Sequence, residues 1–155
     1  MNLPANRQVI FIKILAVLML VISLGAKAQK SEFDITGTWK ATDYWNNESE
    51  AVFTEDGYIS MTTGGEKVDG KNFIIRGGVN NGQKGELKFE INQEKNPVQI
   101  DIIALKDEQE KGRILGIIIP VHQTKFLMLL GINGKRPGRL NDDNTKEVLT
   151  LIKQN

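Results

Sequence analysis

The residues that could do chemistry in this chain are few, and their spacing argues against catalysis. The one histidine, His122, stands beside Gln123 in a segment that reads as a hairpin turn. A zinc site needs three or four convergent ligands. With no cysteine and no second histidine, His122 has no companions of the usual kind. Asp142-Asp143-Asn144 groups three oxygen-bearing side chains. Adjacent residues do not give the alternate-residue spacing of a calcium loop, so this reads as a solvated polar loop. No Gly-x-Ser-x-Gly occurs, and no serine shares a motif with a base. Asp101 lies mid-strand between two isoleucines, where burial would raise a carboxylate pKa. Alternation instead sets it beside Gln99, on the face opposite Ile100 and towards water. Glu86 and Glu90 fall on a wet face by the same count. The expectation is a non-enzyme with no catalytic residue, metal or cofactor.

Binding chemistry has more to work with. Closing about eight antiparallel strands leaves room for packed side chains or for one small apolar ligand. The candidate lining residues are Trp39, Phe53, Met61, Phe73, Ile75, Leu87, Phe89, Ile91, Ile100 and Met128, each equally suited to a packed core. Arg76 ends an apolar strand, where it is placed to reach a mouth and pair with a ligand carboxylate. Tyr44-Trp45-Asn46-Asn47 follows the first strand and offers two exposed aromatics near the same mouth. That loop is the candidate recognition surface.

The segments around these residues set where they can be. The first 28 residues read as an export signal: Arg7 and Lys13 are positive, Ile14 to Leu24 is apolar but for Ser23, and Ala26-Lys27-Ala28 supplies the small residues of a cleavage site. The apolar run is about half of the roughly 20 residues a membrane span needs. The expected mature chain is therefore 29–155, one domain, periplasmic or secreted, with no membrane span of its own. The leader holds Arg7, Lys13 and Lys27 and no acid. The remaining 127 residues thus carry 17 basic against 19 acidic side chains, a formal charge of −2. A mixed, near-neutral surface excludes the basic stripe of a nucleic-acid binder and attachment to an anionic membrane. An exported domain without cysteine must hold together by packing.

From Ile35 onward the chain reads as short strands with turn signals about every 8–12 residues, as in a barrel or sandwich. Ala51-Val52-Phe53 and Tyr58-Ile59-Ser60-Met61 flank a turn with Gly57. Asn80-Asn81-Gly82 offers a tight-hairpin pair. Leu87, Phe89 and Ile91 alternate with Glu86, Lys88 and Glu90, a strand with one wet face. Val98 to Ile102 alternates again, and a charged turn is read over 106–111. Ile114 to Ile119 and Phe126 to Leu130 are apolar on both faces, which calls for a cover from elsewhere in the chain or from another molecule. Val148 to Ile152 closes the chain as a strand, and 29–34 reads as a polar lead.

Gly37-Thr38-Trp39 at the first strand resembles the Gly-x-Trp signature of lipocalin-like (calycin) barrels. Asn96-Pro97-Val98-Gln99-Ile100-Asp101-Ile102, then Gly112 to Ile118, then Gly134-Lys135-Arg136-Pro137 resemble small secreted bacterial lipocalin-like domains, from about Ile35 to the C-terminus. The resemblance implies an antiparallel up-and-down β-barrel of about eight strands, and Ala26-Lys27-Ala28-Gln29 looks like the cleavage site of a Gram-negative bacterial export signal, so a bacterial source is expected. The resemblance also implies structural roles for Gly37, Trp39 and Arg136. The tryptophan would close the narrow end by packing on a basic residue from late in the chain, Arg136 first and Arg139 behind it. The function expected is an exported binding protein for a small hydrophobic ligand. The alternative is a solid-packed module that docks another exported protein or a second copy of itself.

Overall fold

The computed structural model describes residues 32–131 and 133–155. The segment read as an export signal with its cleavage site lies outside them. The chain divides at Glu32, and Phe33–Asn155 is the unit described below.

Ten strands form one antiparallel sheet that curls into a nearly closed barrel: β1 (Gly37–Thr42), β2 (Glu48–Phe53), β3 (Ile59–Thr63), β4 (Glu66–Val68), β5 (Phe73–Ile74), β6 (Lys84–Asn92), β7 (Val98–Lys106), β8 (Gln109–His122), β9 (Lys125–Gly131) and β10 (Val148–Lys153). Neighbours in sequence are neighbours in the sheet, except that β1 pairs with β10 and that β4 and β5 form its two edges. The all-β barrel read from the sequence is present. Its ten strands exceed eight because β4 and β5 are short edge pieces of three and two residues.

The seam lies where the β3 side meets β6. Tyr58 bridges Lys88, Leu87 N–H donates to the Gly70 carbonyl at 2.7 Å, and Phe89 N–H donates to the Gly57 carbonyl at 2.9 Å. Gly70 is required there, because a Cβ would stand 2.3 Å from the Ile59 carbonyl oxygen. Outside the seam, Lys71 and Lys88 flank the Tyr58 ring at 5.0 and 4.8 Å.

Two turns differ from their reading. The charged segment 106–111 is not one broad turn: β7 and β8 run on through it to a two-residue turn at Asp107-Glu108, both at positive φ, as a type I′ hairpin needs. Charges alternating along a solvated strand look like a loop in sequence. Asn80-Asn81-Gly82 sits in a wider tip, since β5 and β6 pair only at Phe73 with Gly85 and Ile74 with Lys84.

One end of the barrel is a solid plug. Trp39, Phe53, Phe126 and Phe33 are buried together. Trp39 stands edge-on to Phe126 at 4.7 Å, and Phe33 to Phe126 at 5.5 Å. The Trp39 indole N–H donates to the Ile35 carbonyl at 2.7 Å, which satisfies the polar handle of a buried tryptophan. Phe33 belongs to the supposed polar lead. It reaches the plug because Gln93 accepts from its N–H and donates to its carbonyl, at 2.8 and 2.9 Å.

The cation over Trp39 is Lys153, with Nζ 5.3 Å from the ring, and not Arg136. Gly37 makes room for it: at φ +115° it holds a conformation side chains rarely adopt, and a Cβ would meet the Lys153 stem at 3.0 Å. Such a contact contributes about 0.5–2 kcal/mol. β10 carries Lys153 directly beside Trp39 in the sheet register, a pairing that sequence order alone does not display.

Arg136 works on the opposite face. It donates to the Gly116 carbonyl at 2.6 Å, the Ile100 carbonyl at 3.2 Å and Asp101 Oδ1 at 2.5 Å. It thereby pins the β9–β10 connection onto the outside of β7 and β8. Leu140 and Val148 from this part of the chain meet Ile117, Ile119, Leu127 and Leu129, so Ile117 and Leu129 are buried on the outer face. That connection is the cover the two-faced apolar strands require.

Candidate ligand-binding cavity

Opposite the plug the barrel holds a cavity of about 380 Å³. Its wall comes from alternate, inward residues of seven strands: Ala41 of β1, Ser49 and Ala51 of β2, Ile59, Met61 and Thr63 of β3, Ile102 of β7, Ile114 of β8, Met128 and Leu130 of β9, and Leu149 and Leu151 of β10. The reason for the void is local. In the plug a large side chain lies beside a small one, Trp39 opposite Ala51 and Phe53 opposite Gly37. One step further along β1, Ala41 lies opposite Ser49. Small beside small leaves space.

The rim includes the β1–β2 loop, where Asp43 and Asn47 border the opening. Asp43 organises this loop. Its carboxylate accepts from Trp45 N–H at 2.9 Å, Asn47 N–H at 2.8 Å and Asn47 Nδ2 at 2.8 Å. Those bonds, the Asn47 side chain first, hold its pKa below the ordinary 3.8. Asn46 takes a positive φ of 64°, a conformation asparagine tolerates better than most residues. The loop so built turns Tyr44 and Trp45 outwards, 56% and 67% exposed, with their rings edge to face at 5.6 Å. Lys146, at the end of the 3₁₀ helix Asp142–Glu147, lies 5.8 Å over the Tyr44 ring.

Of the residues expected to line a cavity, Met61 and Met128 do so, and Tyr44 and Trp45 stand in the loop at its rim. Trp39 and Phe53 belong to the plug, Ile100 to the core, and Leu87, Phe89 and Ile91 pack against that core. Phe73 and Ile75 pack over Gly85 at the sheet edge. Arg76 is not at the mouth: its side chain is 78% exposed and paired with Glu66. Asp101 does face outwards, as alternation requires, yet it is only 15% exposed, because Arg113 and Arg136 both pair with it. His122 accepts or donates through Nδ1 to the Thr124 hydroxyl at 2.9 Å within its turn.

The inward wall residues that sequence reading missed are Ala41, Ser49, Ala51, Ile59, Thr63, Ile102, Ile114, Leu130, Leu149 and Leu151. Size-blind selection of large apolar residues finds cores. A cavity is marked by small inward residues in register on neighbouring strands, and that register is not visible along one chain. Among the described residues no cluster of three or more His, Cys, Asp or Glu is placed to hold a metal. Among them, too, no helix is long and apolar enough to cross a membrane.

The architecture at this point is that of an antiparallel barrel with one plugged end and one open, apolar end. Compared with family models, curated proteins and solved structures, the chain matches none.

Proposed function

We propose that this protein is an exported, lipocalin-like carrier that holds one small hydrophobic molecule at the open end of its barrel and does no chemistry on it. The observation that supports this reading is the cavity itself: about 380 Å³, within the roughly 300–1,000 Å³ typical of ligand sites. Its wall is apolar, with two hydroxyls, Ser49 and Thr63, among the inward side chains. Such a wall offers chiefly burial, so affinity would come from apolar area. The leader and the Gly-x-Trp pattern support export and the family likeness.

Native mass spectrometry of the mature protein, purified gently from an exporting host and followed by organic extraction, tests the reading. The expected result is a stoichiometric apolar adduct that leaves on denaturation and is depleted in an Ala51→Leu variant, which narrows the cavity. A clean apo mass with no lipid recovered overturns the carrier reading and turns the search to protein partners of the Tyr44-Trp45 loop.

A further inference from the structure

We propose that the cavity discriminates by head group: its ligand carries an uncharged or cationic head, not a carboxylate, on a body of about a dozen heavy atoms. The inference rests on the carrier reading above. Among the described residues, the cavity lining holds no Lys, Arg or His; of its ionisable residues Asp43 stands at the rim, while Glu48 and Glu50 alternate with the inward Ser49 and Ala51 onto the outer face of β2. The cations at this end are already engaged. Lys40, on the outer face of β1, pairs with Glu48 at 2.6 Å, and Lys146 lies over the Tyr44 ring. Arg113 faces away from the cavity, held by Glu90, Asp101 and Glu110 at 2.8–2.9 Å.

A carboxylate head would therefore meet one of two costs. Drawn into the wall it would be a buried charge without a partner, which is strongly unfavourable. Left at the rim it would face like charge from Asp43. An uncharged hydroxyl escapes both, because Ser49, Thr63 and Asn47 offer neutral partners at the same level. An ammonium gains from the same Asp43 that repels a carboxylate. The size follows from volume: at roughly 30 Å³ for each water-sized group, the ≈ 380 Å³ cavity takes about a dozen heavy atoms.

The test uses the mature chain loaded with 1-naphthol, a fluorescent probe that is uncharged at neutral pH and has about eleven heavy atoms, within the cavity's capacity. Decan-1-ol, decylamine and decanoate then compete for it; they share one alkyl length and differ in the head. The alcohol and the amine are expected to displace the probe at concentrations at least about tenfold below decanoate, a step of one decade in affinity. Decanoate binding as well as or better than the alcohol overturns the head-group inference and leaves the carrier reading intact. Failure of the probe and all three competitors to bind overturns both.

Discussion

The two ends of this barrel are built from the same strands and differ in what stands two residues further along. On β1 the plug has Trp39 where the cavity has Ala41. On β2 the plug has Phe53 where the cavity has Ala51 and Ser49, and on β9 Phe126 gives way to Met128 and Leu130. Two residues of strand cover about 6–7 Å, so one pleat repeat separates solid packing from open space. The backbone is continuous across the change, and backbone hydrogen bonds along β1, β2, β9 and β10 serve both ends. Side-chain volume alone therefore distinguishes the end that holds the fold together from the end that stays open.

Truncating each end in turn gives the largest contrast. Trp39→Ala removes a fully buried ring that packs against Phe33 and Phe126. It is expected to cost about 3–5 kcal/mol of unfolding free energy. Met61→Ala enlarges a space that is already open, and is expected to cost less than about 2 kcal/mol, the lower edge for a fully buried methionine. Urea unfolding followed by circular dichroism measures both. Equal costs would mean that the cavity wall is as load-sharing as the plug, and the comparison would fail.

A smaller effect is expected where the outer cover is pinned. Arg136→Ala leaves the Asp101 carboxylate with Arg113 but takes the guanidinium contact from the Gly116 and Ile100 carbonyls, which face each other in the β7–β8 ladder. The expected cost is about 1.5–3 kcal/mol, the range for hydrogen bonds to a charged group. Hydrogen exchange should show protection lost first around 133–147, with the plug strands unaffected. Arg136→Lys should restore little, because an ammonium cannot reproduce the planar fork that reaches two carbonyls and a carboxylate together. Loss of protection that begins in the plug would show that the two regions are one cooperative unit.

How much of this was legible in the sequence follows the same division. The strands of the plug and core announce themselves by alternation: Leu87, Phe89 and Ile91 against Glu86, Lys88 and Glu90 needed no structure to place. The Gly37-x-Trp39 pair also pointed to a tryptophan-closed end. Its cationic partner did not follow, because Arg136 and Lys153 are both late in the chain and only the β1–β10 register chooses between them. Phe33 was hidden by polar neighbours, and its place depends on Gln93, 60 residues away. The cavity was least legible of all. Ala41 and Ser49 are ordinary strand residues until β1 and β2 pair and set them opposite each other.

The finest contrast between the ends is their response to acid. Asp43 holds the rim loop through three donors, and its pKa is lowered, chiefly by the Asn47 side chain. A group whose pKa is depressed by folding stabilises the fold above its ordinary value, and that contribution is lost as pH falls through the lowered one. The rim loop should therefore keep its form down to pH 3.8 and loosen only below it. Near the plug, Asp34 is also held low, first by the Thr36 hydroxyl. Its protonation touches an exposed turn and the neighbouring Lys153, while the Trp39 indole stays bonded to an uncharged backbone carbonyl. The chain has two tryptophans, one at each end, so 5-fluorotryptophan labelling reports the ends separately by ¹⁹F NMR. The Trp45 resonance is expected to move below pH 3.8, with Trp39 moving less, through Lys153 alone, until global unfolding. If both move together, the rim is not a separately melting element, and the open end owes its shape to the plug rather than to Asp43.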